Sequence, residues 1–298
     1  MQLDMEIHQG DNKYPAVIFI HGLGMDKNIW VNPFQSRILG GLFPLSVLLK
    51  NCISPENRSD GMKTLYDDLM EKGHPVLTWS QKRPAGPIDS AVIELDEIVR
   101  LAANLTKSGI ILVGHSRGGL IARKYLMVNN RAMRGLITIS TPHRGSSVAG
   151  FSKYVAPLVS MITPVIPAGE KGTLAFSVKR ILEFLRSKAL KELLPESDFF
   201  KSLNDGPFDH ISYVSVGGTD PTLFTVFNFS FPDAFEKVIP QSFYPEEMRA
   251  GKGDGLVTAE SSRMPWVSEH ENYACNHAGI LFDEEVKNKL IGKIREIA

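Results

Sequence analysis

Five short apolar runs set the fold of this chain: PAVIFIHG at 15–22, PVLTWS at 75–80, GIILVGHS at 109–116, GLITIST at 135–141 and HISYVSVGG at 210–218. Such short, continuous apolar runs are expected of parallel strands buried on both faces by helices. Between them lie helical patterns. MKTLYDDLMEKG ends at Gly73, which suits a left-handed helix cap, and DSAVIELDEIVRLAANLTKSG runs from an expected capping Asp89 to Gly109. Strand and helix in alternation predict an α/β fold with a mostly parallel central sheet flanked by helices and joined by right-handed crossovers. With 298 residues, 43% of them hydrophobic, the chain has enough material for one such core, and a single domain over 1–298 is expected.

The rhythm breaks after Thr141, where about seventy residues precede the next strand, far more than the usual αβ connection. Within that gap LAFSVKRILEFLRSKALKELLP sets Ile181, Leu182, Leu185, Ala189 and Leu193 at helical spacing and stops at Pro195. A largely helical cap over 147–207 is therefore expected. A second insertion, 219–253, carries Phe224, Phe227, Phe229, Phe231, Phe235 and Phe243. Both follow the carboxyl ends of strands, the edge where open α/β sheets bind ligands, so both are expected to cover a site.

Thirty-three basic and thirty-three acidic residues cancel without a block of like charge, which leaves no electrostatic footprint for nucleic acid. The opening MQLDMEIHQGDNKYP has acids where a secretory signal carries a basic region and an apolar core. The apolar stretch at 154–169 holds three prolines and is shorter than the ~20 residues of a membrane span. Cys52 and Cys275 make neither a disulfide framework nor a metal motif. These readings predict a cytoplasmic protein with no spanning helix and no cofactor.

One turn concentrates chemistry. Gly114-His115-Ser116-Arg117-Gly118 fits G-x-S-x-G, follows an apolar strand and opens a helical pattern. A serine on so sharp a turn projects its hydroxyl from the sheet edge, and the flanking glycines relieve the crowding this causes. The helix N-terminus behind it aims free N–H groups at developing negative charge. Ser116 is the candidate nucleophile, and His115, one residue away, is read as packing. The oxyanion donors are expected to be the backbone N–H of Arg117 and, from the glycine loop HGLG after the first apolar run, that of Leu23.

A serine needs an imidazole to take its proton and a carboxylate to orient that imidazole, in the order Ser, acid, His on a fold of this type. His143 and His210 leave little or no room for an acid after a late strand. His277 lies in a loop before an amphipathic final helix and is the expected base, with His270 second. Asp220, just past the strand at 210–218, and Asp254, between Gly253 and Gly255, compete for the acid on equal terms.

HGLG, GHSRGG, STPHRGS, GDGLV and NHAG, in this order, resemble the α/β-hydrolase superfamily and within it the bacterial lipases and esterases. The resemblance implies that the aspartate of GDGLV, Asp254, is the acid, with the histidine a little over twenty residues later, at His277. It also implies that the cap follows the family's sixth strand and that His143 in TPHRG is structural. Calcium-bearing relatives place an aspartate where this chain has Gly279, so no metal is expected.

The combined expectation is a serine carboxylic-ester hydrolase that forms an acyl-enzyme on a hydrophobic ester or lipid. The same triad would serve an acyltransferase or a thioesterase, and a non-catalytic binding protein on this fold is the alternative outside enzymes.

Overall fold

The computed structural model describes residues 3–38, 43–44, 62–150, 183, 186–226, 229–231, 244–267 and 269–298. Its main sheet has seven strands: β1 (Asp4–His8), β2 (Ala16–Ile20), β3 (Val76–Ser80), β4 (Ile110–His115), β5 (Met133–Ile139), β6 (Ser212–Gly218) and β7 (Glu269–Tyr273). Their spatial order is β1-β3-β2-β4-β5-β6-β7, with β1 antiparallel to β3 and every other pair parallel.

Successive residues of the central strands feed opposite layers. Ile18, Ile20 and Leu112 join one core cluster, while Val17, Phe19, Ile111 and Val113 join the other. Helices α3 (Ile88–Ala103) and α4 (Arg117–Val128) cover the first layer, and α1 (Asn28–Val31), α2 (Leu65–Glu71) and α8 (Glu284–Ile297) the second, while the short α7 (Ala259–Ser262) packs beside β6. Truncating a fully buried leucine such as Leu112 to alanine removes about 2–5 kcal/mol from a core of this kind.

All five apolar runs are strands of this sheet. The two strands that the hydrophobic pattern missed are its edges, DMEIH and EHENY, which are mostly polar because solvent reaches them. The helix before the second apolar run ends at Glu71, and Gly73 adopts φ +84°. Asp89 is not the cap of α3. That helix opens at Ile88 after Pro87, and Asp89 sits in its first turn, because the Ile88 N–H is satisfied from a distance by Glu192 Oε2 at 2.9 Å.

Counted along this sheet, the long insertion follows the fifth strand, β5. Its described part includes the short helices α5 (Lys188–Glu192) and α6 (Asp198–Ser202), each capped by a serine hydroxyl. Leu193 and Phe199 bury against the α3–α4 layer, so this end of the insertion is fixed to the body. Ile181, Leu182, Leu185, Cys52, the stretch 154–169 and Phe227, Phe235 and Phe243 lie outside the described residues. In the second insertion, 224–226 and 229–231 pair as a small antiparallel ribbon. No helix among the described residues is long and apolar enough to cross a membrane.

Candidate active site

The carboxyl ends of β2, β4, β5 and β6 converge at one edge of the sheet. Ser116 leaves β4 with φ 53° and ψ −127°, a conformation that costs a non-glycine residue on the order of 1–3 kcal/mol. Ser140, at the end of neighbouring β5, is the other described non-glycine residue with positive φ. The turn is tight enough that a Cβ on Gly118 would sit 2.2 Å from the Ile20 carbonyl oxygen, and one on Gly114 would sit 2.5 Å from the Gly119 nitrogen. Both flanking glycines of the motif are thus required by close backbone approach. Arg117 is the first residue of α4, so its N–H has no partner within the helix.

The loop after β2 lies against the same serine. A Cβ on Gly22 would come within 3.1 Å of Ser116 Cβ. The Gly24 N–H donates to the Pro84 carbonyl at 3.2 Å, whereas the Leu23 N–H has no backbone acceptor among the described residues.

Asp254 and His277 meet beyond the end of β6. The pair is locked twice: the His277 N–H donates to the Asp254 carbonyl at 3.0 Å, and His277 Nδ1 lies 2.9 Å from Asp254 Oδ2. A carboxylate only accepts, so Nδ1 carries the proton and Nε2 keeps its lone pair. Asp254 is fully buried, and its Oδ1 accepts the N–H groups of Leu256 (3.0 Å) and Val257 (2.8 Å). Burial alone would raise this carboxyl, but the charge and hydrogen bond of His277 and the Leu256 amide outweigh it and hold the group below its ordinary value. Gly218 admits both loops: a Cβ there would meet the Cys275 carbonyl oxygen at 2.3 Å and Asp254 Cβ at 2.8 Å.

His115 ties the two halves together. Its Nε2–H donates to the His277 carbonyl at 2.9 Å, and the two rings lie 4.9 Å apart. Burial, and next the neighbouring charge of His277, push the His115 ring down to about 3, so it stays neutral. It is more than packing, because the residue next to Ser116 thereby holds the backbone of the loop that carries His277.

The competing residues are engaged elsewhere. Asp220 Oδ1 accepts the Thr222 N–H at 2.9 Å in a local turn. His270 lies on edge strand β7, with Nδ1 2.8 Å from Ser215 Oγ. His143 has both nitrogens committed: Arg123 Nη1 donates to Nδ1 at 3.1 Å, and Nε2–H donates to Thr138 Oγ1 at 3.0 Å. His210 sits 3.2 Å from the Asn130 carbonyl at the opposite end of the strands. At Gly279, the N–H donates to Asn276 Oδ1 at 2.7 Å. No group of three or more His, Cys, Asp or Glu side chains among the described residues is arranged to hold a metal.

Sequence reasoning reached the Arg117 backbone and missed its side chain. The guanidinium is fully buried, donating from Nη1 to Gln81 Oε1 at 3.0 Å and from Nη2 to the Gly86 carbonyl at 2.6 Å. Burial lowers it to about 10, which still leaves it charged at neutral pH. Nothing in the local sequence around Gln81 marks it as a partner.

The sheet order, the strained serine turn and this edge together define an α/β hydrolase architecture. The family model of the alpha/beta hydrolase family matches residues 17–285, and the chain belongs to that family. Among curated proteins it is similar to triacylglycerol lipase 2 of Saccharomyces cerevisiae, at 31% identity over 166 residues covering 45% of this chain. The match spans about half of that protein, 48% of its length. Among solved structures, the propeptide form of the Bacillus licheniformis lipase BlEst2 superposes with a TM-score of 0.57 at 17% identity, covering 97% of this chain and 53% of that one. A soluble variant of the Saccharomyces cerevisiae monoglyceride lipase superposes with a TM-score of 0.50 at 10% identity, covering 98% and 89%. At these identities the superpositions speak to the fold.

Proposed function

We propose that the protein is a serine carboxylic-ester hydrolase in which Ser116 is the nucleophile, His277 the general base and Asp254 the acid that orients it. The observation that carries this reading is the fully buried Asp254–His277 pair, 2.9 Å from Nδ1 to Oδ2, on a loop that His115 holds beside the strained serine turn. With Nδ1 bound to the carboxylate, His277 Nε2 takes the Ser116 proton as Oγ bonds to the ester carbonyl carbon. The carbonyl oxygen gains the displaced electron pair, and the Leu23 and Arg117 N–H groups stabilise it. Collapse breaks the bond to the alkoxide, which leaves with the proton from His277. Water then repeats the sequence on the acyl-enzyme and releases the carboxylic acid.

The substrate is a hydrophobic ester of the acylglycerol kind. The apolar insertions 147–207 and 219–253, read as covers of this edge, and the similarity to a yeast triacylglycerol lipase support that choice. A fluorophosphonate should label Ser116, and p-nitrophenyl esters of increasing acyl length should be hydrolysed with a preference beyond acetate. Ser116→Ala should abolish both. Full turnover by that variant overturns the mechanism, and a flat, low rate across the series overturns the hydrophobic substrate.

A further inference from the structure

His21, the residue before the glycine loop, is fully buried and takes no direct part in the chemistry above. Its Nε2 lies 3.0 Å from the Gln81 backbone nitrogen. A backbone N–H can only donate, so Nε2 is the acceptor and the ring proton is on Nδ1. That Nδ1–H then donates to the Gly22 carbonyl at 2.9 Å. The Gly22 carbonyl and the Leu23 N–H belong to one trans peptide, planar and with C=O and N–H opposed. Holding the carbonyl against His21 therefore directs the Leu23 N–H the other way.

We infer that His21 is a positioning residue, a peptide lock that keeps the Leu23 N–H preset as an oxyanion donor. This rests on the ester-hydrolase reading and deepens it.

The lock is anchored from the opposite donor. Arg117, whose backbone N–H is the other proposed partner of the oxyanion, binds Gln81 Oε1 through its guanidinium, and Gln81 Nε2 donates to the His21 carbonyl at 3.1 Å. One buried relay thus connects the two amides: Arg117, Gln81, His21 and the Gly22–Leu23 peptide. Burial, offset in part by the Gly22 carbonyl and reinforced by the Arg117 charge, lowers the His21 ring to about 4. The single-proton form required by the lock is therefore the one present at neutral pH. A doubly protonated ring would turn Nε2 toward Gln81 as a second donor and remove the acceptor. The Gly24 N–H, bound to Pro84, holds the far side of the loop.

A pair of ring-less variants tests this. His21→Leu and His21→Asn leave cavities of similar size, but the Asn Nδ2 occupies the place of the imidazole Nδ1 and restores a donor toward Gly22. His21→Leu should lower kcat by about tenfold to a hundredfold with KM within about twofold, the signature of a group that acts on the transition state. Affinity for a trifluoromethyl ketone, which becomes a tetrahedral oxyanion on serine, should fall in parallel. His21→Asn should recover most of both losses.

Equal losses in Leu and Asn variants of equal thermal stability, or an unchanged kcat in His21→Leu, overturn the lock. If neither variant folds, Gln81→Met decides, since it cuts the relay but keeps the backbone donor to His21. An unchanged kcat and ketone affinity in Gln81→Met then overturn the inference, and a parallel fall in both supports it. Fluorophosphonate labelling of the unaltered protein separates the two readings: a chain that is neither labelled at Ser116 nor active on esters refutes the hydrolase itself, whatever His21 does.

Discussion

His277 and His143 are both buried and are bonded in opposite senses. His277 gives its Nδ1–H to Asp254, which leaves the second nitrogen with a lone pair and an adjacent negative charge to stabilise a proton there. His143 receives a hydrogen bond at Nδ1 from Arg123, a cation that is itself paired to Asp205 through two contacts of 2.8 and 2.7 Å, and spends its only proton on Thr138. Burial and the neighbouring guanidinium push His143 well below its ordinary range. Equal burial thus yields one ring equipped to accept a proton and one that cannot. The partner at Nδ1 decides which.

The largest test of this contrast is His277→Ala, together with Asp254→Asn. Each should lower kcat by about 10⁴-fold or more in folded protein, as loss of a triad base or its orienting carboxylate does. His143→Gln should leave turnover per folded molecule unchanged, and a loss comparable to that of His277→Ala would erase the distinction. Next comes Arg123→Ala, which strands the buried Asp205 carboxylate and should cost about 3–5 kcal/mol of stability in urea unfolding with little change in the kinetics of what remains folded.

A smaller effect is expected from acid. Unfolded histidine titrates near 6.5, whereas His21 is lowered to about 4 and His115 to about 3, chiefly by burial. As pH falls below 6.5 the unfolded chain takes up protons that the folded rings refuse, so stability should be full above that value and decline toward 4. Urea midpoints measured across this range check the sign; a flat profile contradicts neutral buried rings. Smallest of all, His270→Gln and Asp220→Asn should change kcat by less than about twofold, the scale of exchanges outside a site.

How much of this was legible in the sequence depends on how local each cause is. The five inner strands were readable because a parallel strand covered on both faces is mostly apolar along its length, and Ser116 because its turn requires Gly114 and Gly118 around it. The edge strands carry no such pattern. The choice between Asp220 and Asp254 was level on local grounds, since both are turn aspartates near glycines. Only the return of two loops past Gly218 brings Asp254 to His277 and leaves Asp220 to Thr222. The Arg117–Gln81–His21 relay was invisible for the same reason: its members are 36 and 60 positions apart and meet only in three dimensions.

The bond from His115 to the carbonyl of His277 spans 162 positions and joins the end of β4 to the loop after β7. During synthesis the central strands and the bent serine can form before that carbonyl exists, so the two halves of the candidate site would be joined only once the loop carrying His277 has reached the body.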